Sequence, residues 1–337
     1  MLSWFAIACE NQSKLPTSTA ADGAGTPQCQ QIQHRLGVTE VCGQPQTIVV
    51  LNPYMLELLL SLDRQPAGYA DFFAIYKGAS FDNPSQQIPY LGERVTTEPV
   101  NLGTSSQPSL EAIAALKPDL ILGCIEELEN QYTLLSQIAP TLLFTYRGAN
   151  NWQQSIQAIA QSIHQEEQAQ QVLTVFEEKL SAARQTLQPF VEQQPKVLML
   201  AAEQLKSSLQ IANPTDACGS LVEAIGFQLV SIPNQPQPTI AQTVSLELLP
   251  TLDADWIVIQ GHNFSATDQL PNEGNLEDNQ LNSLKQQWKS NAIAQSLSAS
   301  QKGQVYFIPT YLCRGLPGPI GAEIFLEQLQ HFLLPSQ

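Results

Sequence analysis

Arg94, Arg147 and Arg314 are the side chains of this sequence best placed to grip a ligand. Each follows a segment that reads as a strand, and aromatic residues accompany them: Tyr54 and the Phe72-Phe73-Tyr76 loop before Arg94, Trp152 after Arg147, and Tyr311 before Arg314. In chains that alternate strands and helices, residues just past the carboxyl ends of the strands line the cleft. In the second half His262-Asn263-Phe264 also falls there. A guanidinium fork binds carboxylate or hydroxamate oxygens and rings pack flat apolar faces, so the set suits an anionic ligand with a bulky apolar or conjugated body. The arginines carry weight because the chain has only 15 Lys and Arg.

Catalysis has no comparable constellation. The sequence contains no nucleophile elbow, no phosphate-cradling glycine loop and no zinc-protease helix. His34, His164, His262 and His331 are scattered, with no pair at ligand spacing and no Cys-x-x-Cys, so no catalytic residue is assigned and no direct transition-metal site is expected.

One carboxylate recurs. Ser109-Leu110-Glu111-Ala112-Ile113, running to Asp119-Leu120-Ile121, is matched without a gap by Ser245-Leu246-Glu247-Leu248-Leu249, running to Asp255-Trp256-Ile257. In each copy the Ser can cap a short helix whose Leu and Ile positions face a core, and the Asp leads into an apolar, strand-like run. A helix-to-strand unit present in both halves implies two similar lobes. Glu111 and Glu247 then occupy the same spot on each.

These residues need elements to position them, and 337 residues exceed what one core ordinarily supports. The composition is that of a packed globular body, 43% hydrophobic and 14% charged, with a formal charge of −16. That charge, without any basic cluster, argues against nucleic acid or an anionic membrane surface as partner. Residues 47–51 read as a buried strand and 55–62 as a helix; 66–89 are loop-rich and aromatic; 132–138 read as a helix and 141–145 as a strand. Between the halves Ile156, Ile159 and Ile163 set a helical period. After a break near His164-Gln165, Ala169, Val172, Leu173, Phe176, Leu180, Ala183 and Leu187 continue it, a rod of about 20 residues and ~30 Å. The second half reads as a strand at 196–201, a helix at 220–225 ending on Gly226, the repeat copy, a strand at 256–260, a loop at 261–274, a helix at 288–297, a strand at 305–308 and a helix at 321–332. The expected fold is α/β: two Rossmann-like lobes joined by a long backbone helix, with boundaries at 1–44, 45–150, 151–192 and 193–337.

The cysteines are informative by place. Cys9 follows an apolar run ending in small residues and resembles the lipidated Cys of a bacterial lipoprotein leader; the preceding eight residues lack a basic start, so the true leader is expected to begin upstream. Residues 10–27 have tether composition. Cys29 and Cys42 flank a hairpin-like segment turning near Leu36-Gly37, and a disulfide there suits an export compartment. Cys218 and Cys313 are available to pair, leaving Cys124 over.

Tyr90-Leu91-Gly92, the long run from Gln107-Pro108-Ser109-Leu110-Glu111 to Asp119-Leu120-Ile121, Gln137-Ile138-Ala139-Pro140-Thr141, Ser245-Leu246-Glu247 and Arg314-Gly315 are motifs of one known family. Over about residues 45–334 the chain resembles the periplasmic binding proteins that deliver ferric siderophores, haem or cobalamin to ATP-driven importers. The resemblance implies a non-catalytic, lipid-anchored, monomeric periplasmic receptor with a shallow cleft and little closure. It implies that Glu111 and Glu247 sit on the lobe tips and pair with arginines of the two permease subunits of an inner-membrane ABC importer. Ferric iron travels within the siderophore, which supplies its own ligands, so no intrinsic cofactor or protein metal ligand is expected. Where hydroxamate-binding members often carry an Arg this chain has Thr104-Ser105-Ser106, and Glu126, Glu127 and Glu129 disfavour a polyanion; a hydroxamate or citrate chelate of modest charge is the expected cargo. The expected ligand-binding residues are Tyr54, Phe72, Tyr76, Arg94, Arg147, Trp152, Tyr311 and Arg314. A cobalamin or haem receptor is the alternative within the fold, haem needing Tyr54, Tyr311 or His262 as axial ligand. A nitrogenase-like cofactor-carrying enzyme, with cysteines converging between its lobes, is the alternative outside it.

Overall fold

A computed structural model describes residues 28–74, 76–147, 151–207, 209–211, 216–233, 242–252, 254–263 and 276–334. Cys9, the tether and most of the loop expected at 261–274, with Phe264, lie outside the described residues.

Two six-stranded sheets form the two lobes. The N-terminal sheet runs in the order Gln107–Pro108, Val100–Thr104, Gly68–Asp71, Ile48–Val50, Leu120–Cys124, Thr141–Phe144, parallel throughout except for its short first edge. Its inner strands are buried on both faces, which is why they read as continuous apolar runs rather than alternating ones. The C-terminal sheet pairs Lys196–Ala202, Trp256–Gly261 and Val305–Pro309 in parallel, with Gln210–Ile211 and Gln242–Thr243 antiparallel at one edge and Gln228–Leu229 beside Lys196–Ala202.

The repeat has a structural reason at its Asp. Asp119 Oδ2 accepts from the Thr47 amide at 2.8 Å, and Asp255 Oδ2 accepts from the Lys196 amide at 2.8 Å. Each Asp thus joins the start of its own strand to the opening strand of its lobe. The helices differ between copies. Leu110–Leu116 is an α-helix capped by Ser109 Oγ, whereas Leu246–Thr251 is a 3₁₀ helix without a Ser245 side-chain cap. Pro250 stands where the first copy has Ala114; it supplies no amide hydrogen and crowds the preceding turn, which disfavours an α-helix.

The backbone helix is Glu166–Gln193, 28 residues and ~42 Å long, about one turn longer at its amino end and nearly two at its carboxyl end than its apolar period predicts. His164, in the left-handed region at φ 56°, makes the break before it. Ala169, Leu180, Ala183 and Leu187 are its buried positions, and it packs against helix Ala217–Ile225 and the closing helix Pro319–Leu333. Helix Asn151–Ile163 lies against the N-terminal lobe, on helix Pro53–Ser61 and on the hairpin Cys29–His34/Gly37–Cys42. One hydrophobic cluster is continuous through Ile48, Leu122, Leu187, Val258 and Phe325, so it spans both lobes and the helix between them.

Two expectations change. Strand Gly68–Asp71 occupies part of the stretch read as loop. The helix expected at 288–297 is instead Leu276–Ser290 followed by Ala292–Ser296, the break lying at Asn291, whose side chain accepts from the Ala294 amide at 3.0 Å. Tyr311 and Arg314, expected just past the strand at 305–308, sit on a six-residue helix, Thr310–Gly315. Two disulfides are present, Cys29–Cys42 across the hairpin and Cys218–Cys313 between helix Ala217–Ile225 and Thr310–Gly315; Cys124 is buried and unpaired. Among the described residues no helix is long and apolar enough to cross a membrane.

Candidate functional site

The carboxyl ends of both sheets converge on one cleft of about 320 Å³. From the N-terminal lobe, Phe72 and Phe73 follow strand Gly68–Asp71, Glu127 follows Leu120–Cys124 and Tyr146 follows Thr141–Phe144; from the C-terminal lobe come Gln280, Tyr311 and Arg314. Tyr311 is the hub. Its ring centre lies 6.1 Å from Phe72, 6.4 Å from Phe73 and 6.0 Å from Tyr90, and Tyr146 adds an edge-on contact to Phe72 at 6.3 Å. A Cβ at Gly315 would stand 3.1 Å from the Phe72 ring, so the small residue after Arg314 lets helix Thr310–Gly315 approach this loop.

Hydrogen bonds fix the lobes around the rings. The Tyr311 hydroxyl donates to Asp71 Oδ2 at 2.9 Å, and Tyr69 donates to the same oxygen at 2.5 Å. Burial pushes Asp71 up to about 6, against the pull of these hydroxyls and of the Phe72 and Phe73 amides. The Tyr90 hydroxyl reaches Glu277 across the lobes at 3.2 Å. Further back, Glu57 of helix Pro53–Ser61 accepts from the Gly318 and Gly321 amides, at 2.8 and 2.6 Å, at the amino end of the closing helix. Burial pushes Glu57 up to about 7, while the amides pull the other way.

The charges are unequal. Arg314 is exposed, and among the described residues no carboxylate forms an ion pair with it. It is held by its neighbours: Cys313 is bonded to Cys218, and Asp216 caps that partner helix by accepting from the Gly219 amide at 2.7 Å. Burial raises Asp216 to about 6, and Arg314 pulls it down. Glu127 is pushed up to about 7 by burial, with Glu126 adding to the push and the Tyr146 hydroxyl opposing it.

Of the eight residues expected to bind ligand, Phe72, Tyr311 and Arg314 come together here, and Arg147 stands at the edge, 3.8 Å from Glu126. The other four are elsewhere. Tyr54 is fully buried in the first turn of its helix and, with Trp152, lines a second cavity of about 220 Å³ beside the backbone helix, which shares Tyr146 with the cleft. Trp152 packs edge-on to Phe176 at 4.9 Å. Arg94 ends a 3₁₀ turn that faces the closing helix, where it lies 3.6 Å from Glu323. Tyr76 packs against Phe81 and donates to Asp82 at 3.2 Å. Tyr146 and Gln280 escaped the sequence reading, because long-range packing rather than a position in a motif brings them here; Tyr90 enters that reading only as part of a family motif and not as a neighbour of the cleft. Glu111 and Glu247 are both exposed. The described cysteines do not converge between the lobes, and of the axial candidates for haem Tyr54 is buried away from the cleft and Tyr311 is engaged by Asp71.

Over residues 48–312 the sequence matches the family model described as "Periplasmic binding protein". The chain belongs to this family. As a periplasmic binding protein it is a solute-binding molecule rather than an enzyme. It is 28% identical to the Fe(3+)-citrate-binding protein YfmC of Bacillus subtilis over 91% of this chain and 87% of that protein. It is 26% identical to the Fe(3+) dicitrate-binding periplasmic protein FecB of Escherichia coli over 87% and 86%. In fold it is similar to Staphylococcus aureus SirA complexed with staphyloferrin B, with a TM-score of 0.68, 20% identity, and coverage of 90% of this chain and 98% of that one.

Proposed function

We propose that this periplasmic binding protein is a lipid-anchored receptor of the export compartment that binds a ferric siderophore and delivers it to an inner-membrane ABC importer. Iron is cargo, coordinated by the chelate. The observation that carries this reading is the cleft itself: one guanidinium, Arg314, without a carboxylate partner among the described residues, beside the rings of Phe72, Phe73, Tyr146 and Tyr311 at the junction of two lobes. Such a site takes a chelate that presents one carboxylate or hydroxamate edge and an apolar flank. Curated relatives that bind Fe(3+)-citrate and Fe(3+)-dicitrate support the citrate class, and the single unpaired cation together with Glu127 favours a chelate of low net charge. Glu111 and Glu247, exposed and repeated between the lobes, are the residues that register the receptor on a two-subunit permease, and Cys9 is the lipid attachment.

Tryptophan-fluorescence titration against iron-loaded citrate, hydroxamate and catecholate siderophores, haem and cobalamin tests the reading. Saturable quenching by a ferric citrate or hydroxamate chelate, weaker for its iron-free form and weakened about tenfold or more in Arg314→Gln, is expected. Tightest binding of haem or cobalamin would transfer the protein to the alternative cargo class.

A further inference from the structure

One cluster of ionisable groups is not explained by the cargo cleft. At the carboxyl end of strand Leu120–Cys124, the Cys124 Sγ and one carboxylate oxygen from each of Glu126 and Glu127 lie within 4.8 Å of one another. The side-chain contacts that orient these carboxylates fall on one oxygen of each. Glu126 Oε1 accepts from the Thr145 hydroxyl and lies 3.8 Å from the Arg147 guanidinium; Glu127 Oε1 accepts from the Tyr146 hydroxyl at 3.0 Å. The other two oxygens, Glu126 Oε2 and Glu127 Oε2, are both buried without a hydrogen-bond partner. The Glu126 side chain is only 9% exposed. Two adjacent carboxylates that each leave one oxygen buried and bare, next to a free thiol, repel each other unless a proton or a cation neutralises one of them.

We propose that Cys124, Glu126 and Glu127 form a site for one divalent transition-metal ion of the zinc class, in the N-terminal wall of the cleft and independent of the iron carried as cargo. A thiolate with two carboxylates selects a borderline ion over magnesium or calcium, which do not favour sulfur. Bonds of about 2.0–2.3 Å require the three atoms to draw together by roughly an ångström, a side-chain adjustment. Thr145, Tyr146 and Arg147 contact the Oε1 atoms of the two carboxylates, as outer-shell groups do around a metal. Glu127 also lines the cleft, which provides the entry path. Three protein ligands leave a fourth position open. Binding sends the thiol proton, and any proton on Glu127, into solvent, so affinity rises with pH.

Cobalt(II) titration of the chelator-treated full chain, without siderophore, decides the matter separately from cargo binding. The expected result is one equivalent bound with a near-ultraviolet thiolate-to-cobalt charge-transfer band and the visible bands of tetrahedral cobalt. Cys124→Ser, checked for wild-type circular dichroism and melting, loses the charge-transfer band although Cys9 is retained. Glu127→Gln keeps the thiol, and therefore shows the band at saturation with affinity about tenfold weaker; this variant serves if the serine variant fails to fold. No saturable binding by the wild type, a cobalt spectrum unchanged in Cys124→Ser, or an affinity indifferent to Glu127→Gln would overturn the assignment.

Discussion

Tyr311 combines two roles that can be separated by one atom. Its ring belongs to the cleft, among Phe72, Phe73 and Tyr90, while its hydroxyl ties the C-terminal lobe to Asp71 of the other. Tyr311→Phe keeps the ring and removes one of the two hydroxyl donors from a buried carboxylate. The expected loss is about 1–3 kcal/mol of stability, read from the denaturant midpoint, with cargo affinity changed much less. Equal loss of both would mean that the hydroxyl itself touches the ligand. At this scale the sequence was legible where a residue directly follows a long apolar strand, as Tyr311 and Arg314 follow Val305–Pro309. Tyr54 and Arg94 show the limit of that rule: a helix turn and a 3₁₀ turn rotate them toward other surfaces, and strand position alone does not encode that rotation.

Among the elements, the junction of helix Pro53–Ser61 with the closing helix is sensitive to a single methyl group. A Cβ at Gly318 would lie 2.8 Å from the Glu57 carboxyl carbon, and that carboxylate is already fixed by the Gly318 and Gly321 amides. Gly318→Ala is expected to lower stability by about 1–3 kcal/mol through overpacking, measurable by thermal or urea unfolding; an unchanged midpoint would show that Glu57 has room to retreat. Elements with a strong period were readable, notably the backbone helix and the buried parallel strands. Gly68–Asp71 was not, because Gly-Tyr-Ala-Asp is buried by its neighbours rather than by an apolar run of its own. Nor was the true start of Leu276–Ser290, whose Glu, Asp, Asn and Gln residues dilute the apolar period before Trp288. The repeat correctly marked a helix before each strand, but Pro250 changed the kind of helix in the second copy.

For the molecule as a whole, buried acids set the pH response. Glu57 and Glu127 are raised to about 7, Asp71 and Asp216 to about 6, in each case chiefly by burial. A carboxyl raised in the folded chain binds protons there more readily than in the unfolded chain. The benefit is full below the unfolded pKa of about 4 and is lost as pH climbs through 6 to 7, so stability falls across that window and levels off above it. The formal charge of −16 works in the same direction, since protonation relieves self-repulsion. The melting temperature is therefore expected to be higher near about pH 5.5 than near about pH 7.5; the opposite trend would show that the hydrogen-bond donors keep these groups ionised. In the proposed function, transporter docking also draws on both lobes together. Reversing Glu111 and Glu247 to Arg is expected to abolish uptake of iron-loaded cargo by cells while leaving the fluorescence titration unchanged, because close interfacial charge pairs couple by about 1.5–7 kcal/mol. Loss of cargo affinity would instead assign the pair to the fold or the pocket.

The cluster that runs from Ile48 through Leu187 to Phe325 has a consequence for cooperativity. Two halves that share a repeat invite the expectation that each melts by itself. A core that crosses both of them is broken when either half is lost, although each lobe also holds a smaller cluster of its own. Calorimetry should show one transition whose van't Hoff and calorimetric enthalpies agree, and neither lobe expressed separately should hold its native structure. In its thermodynamics the protein has stopped being a duplicate, although its sequence still spells one.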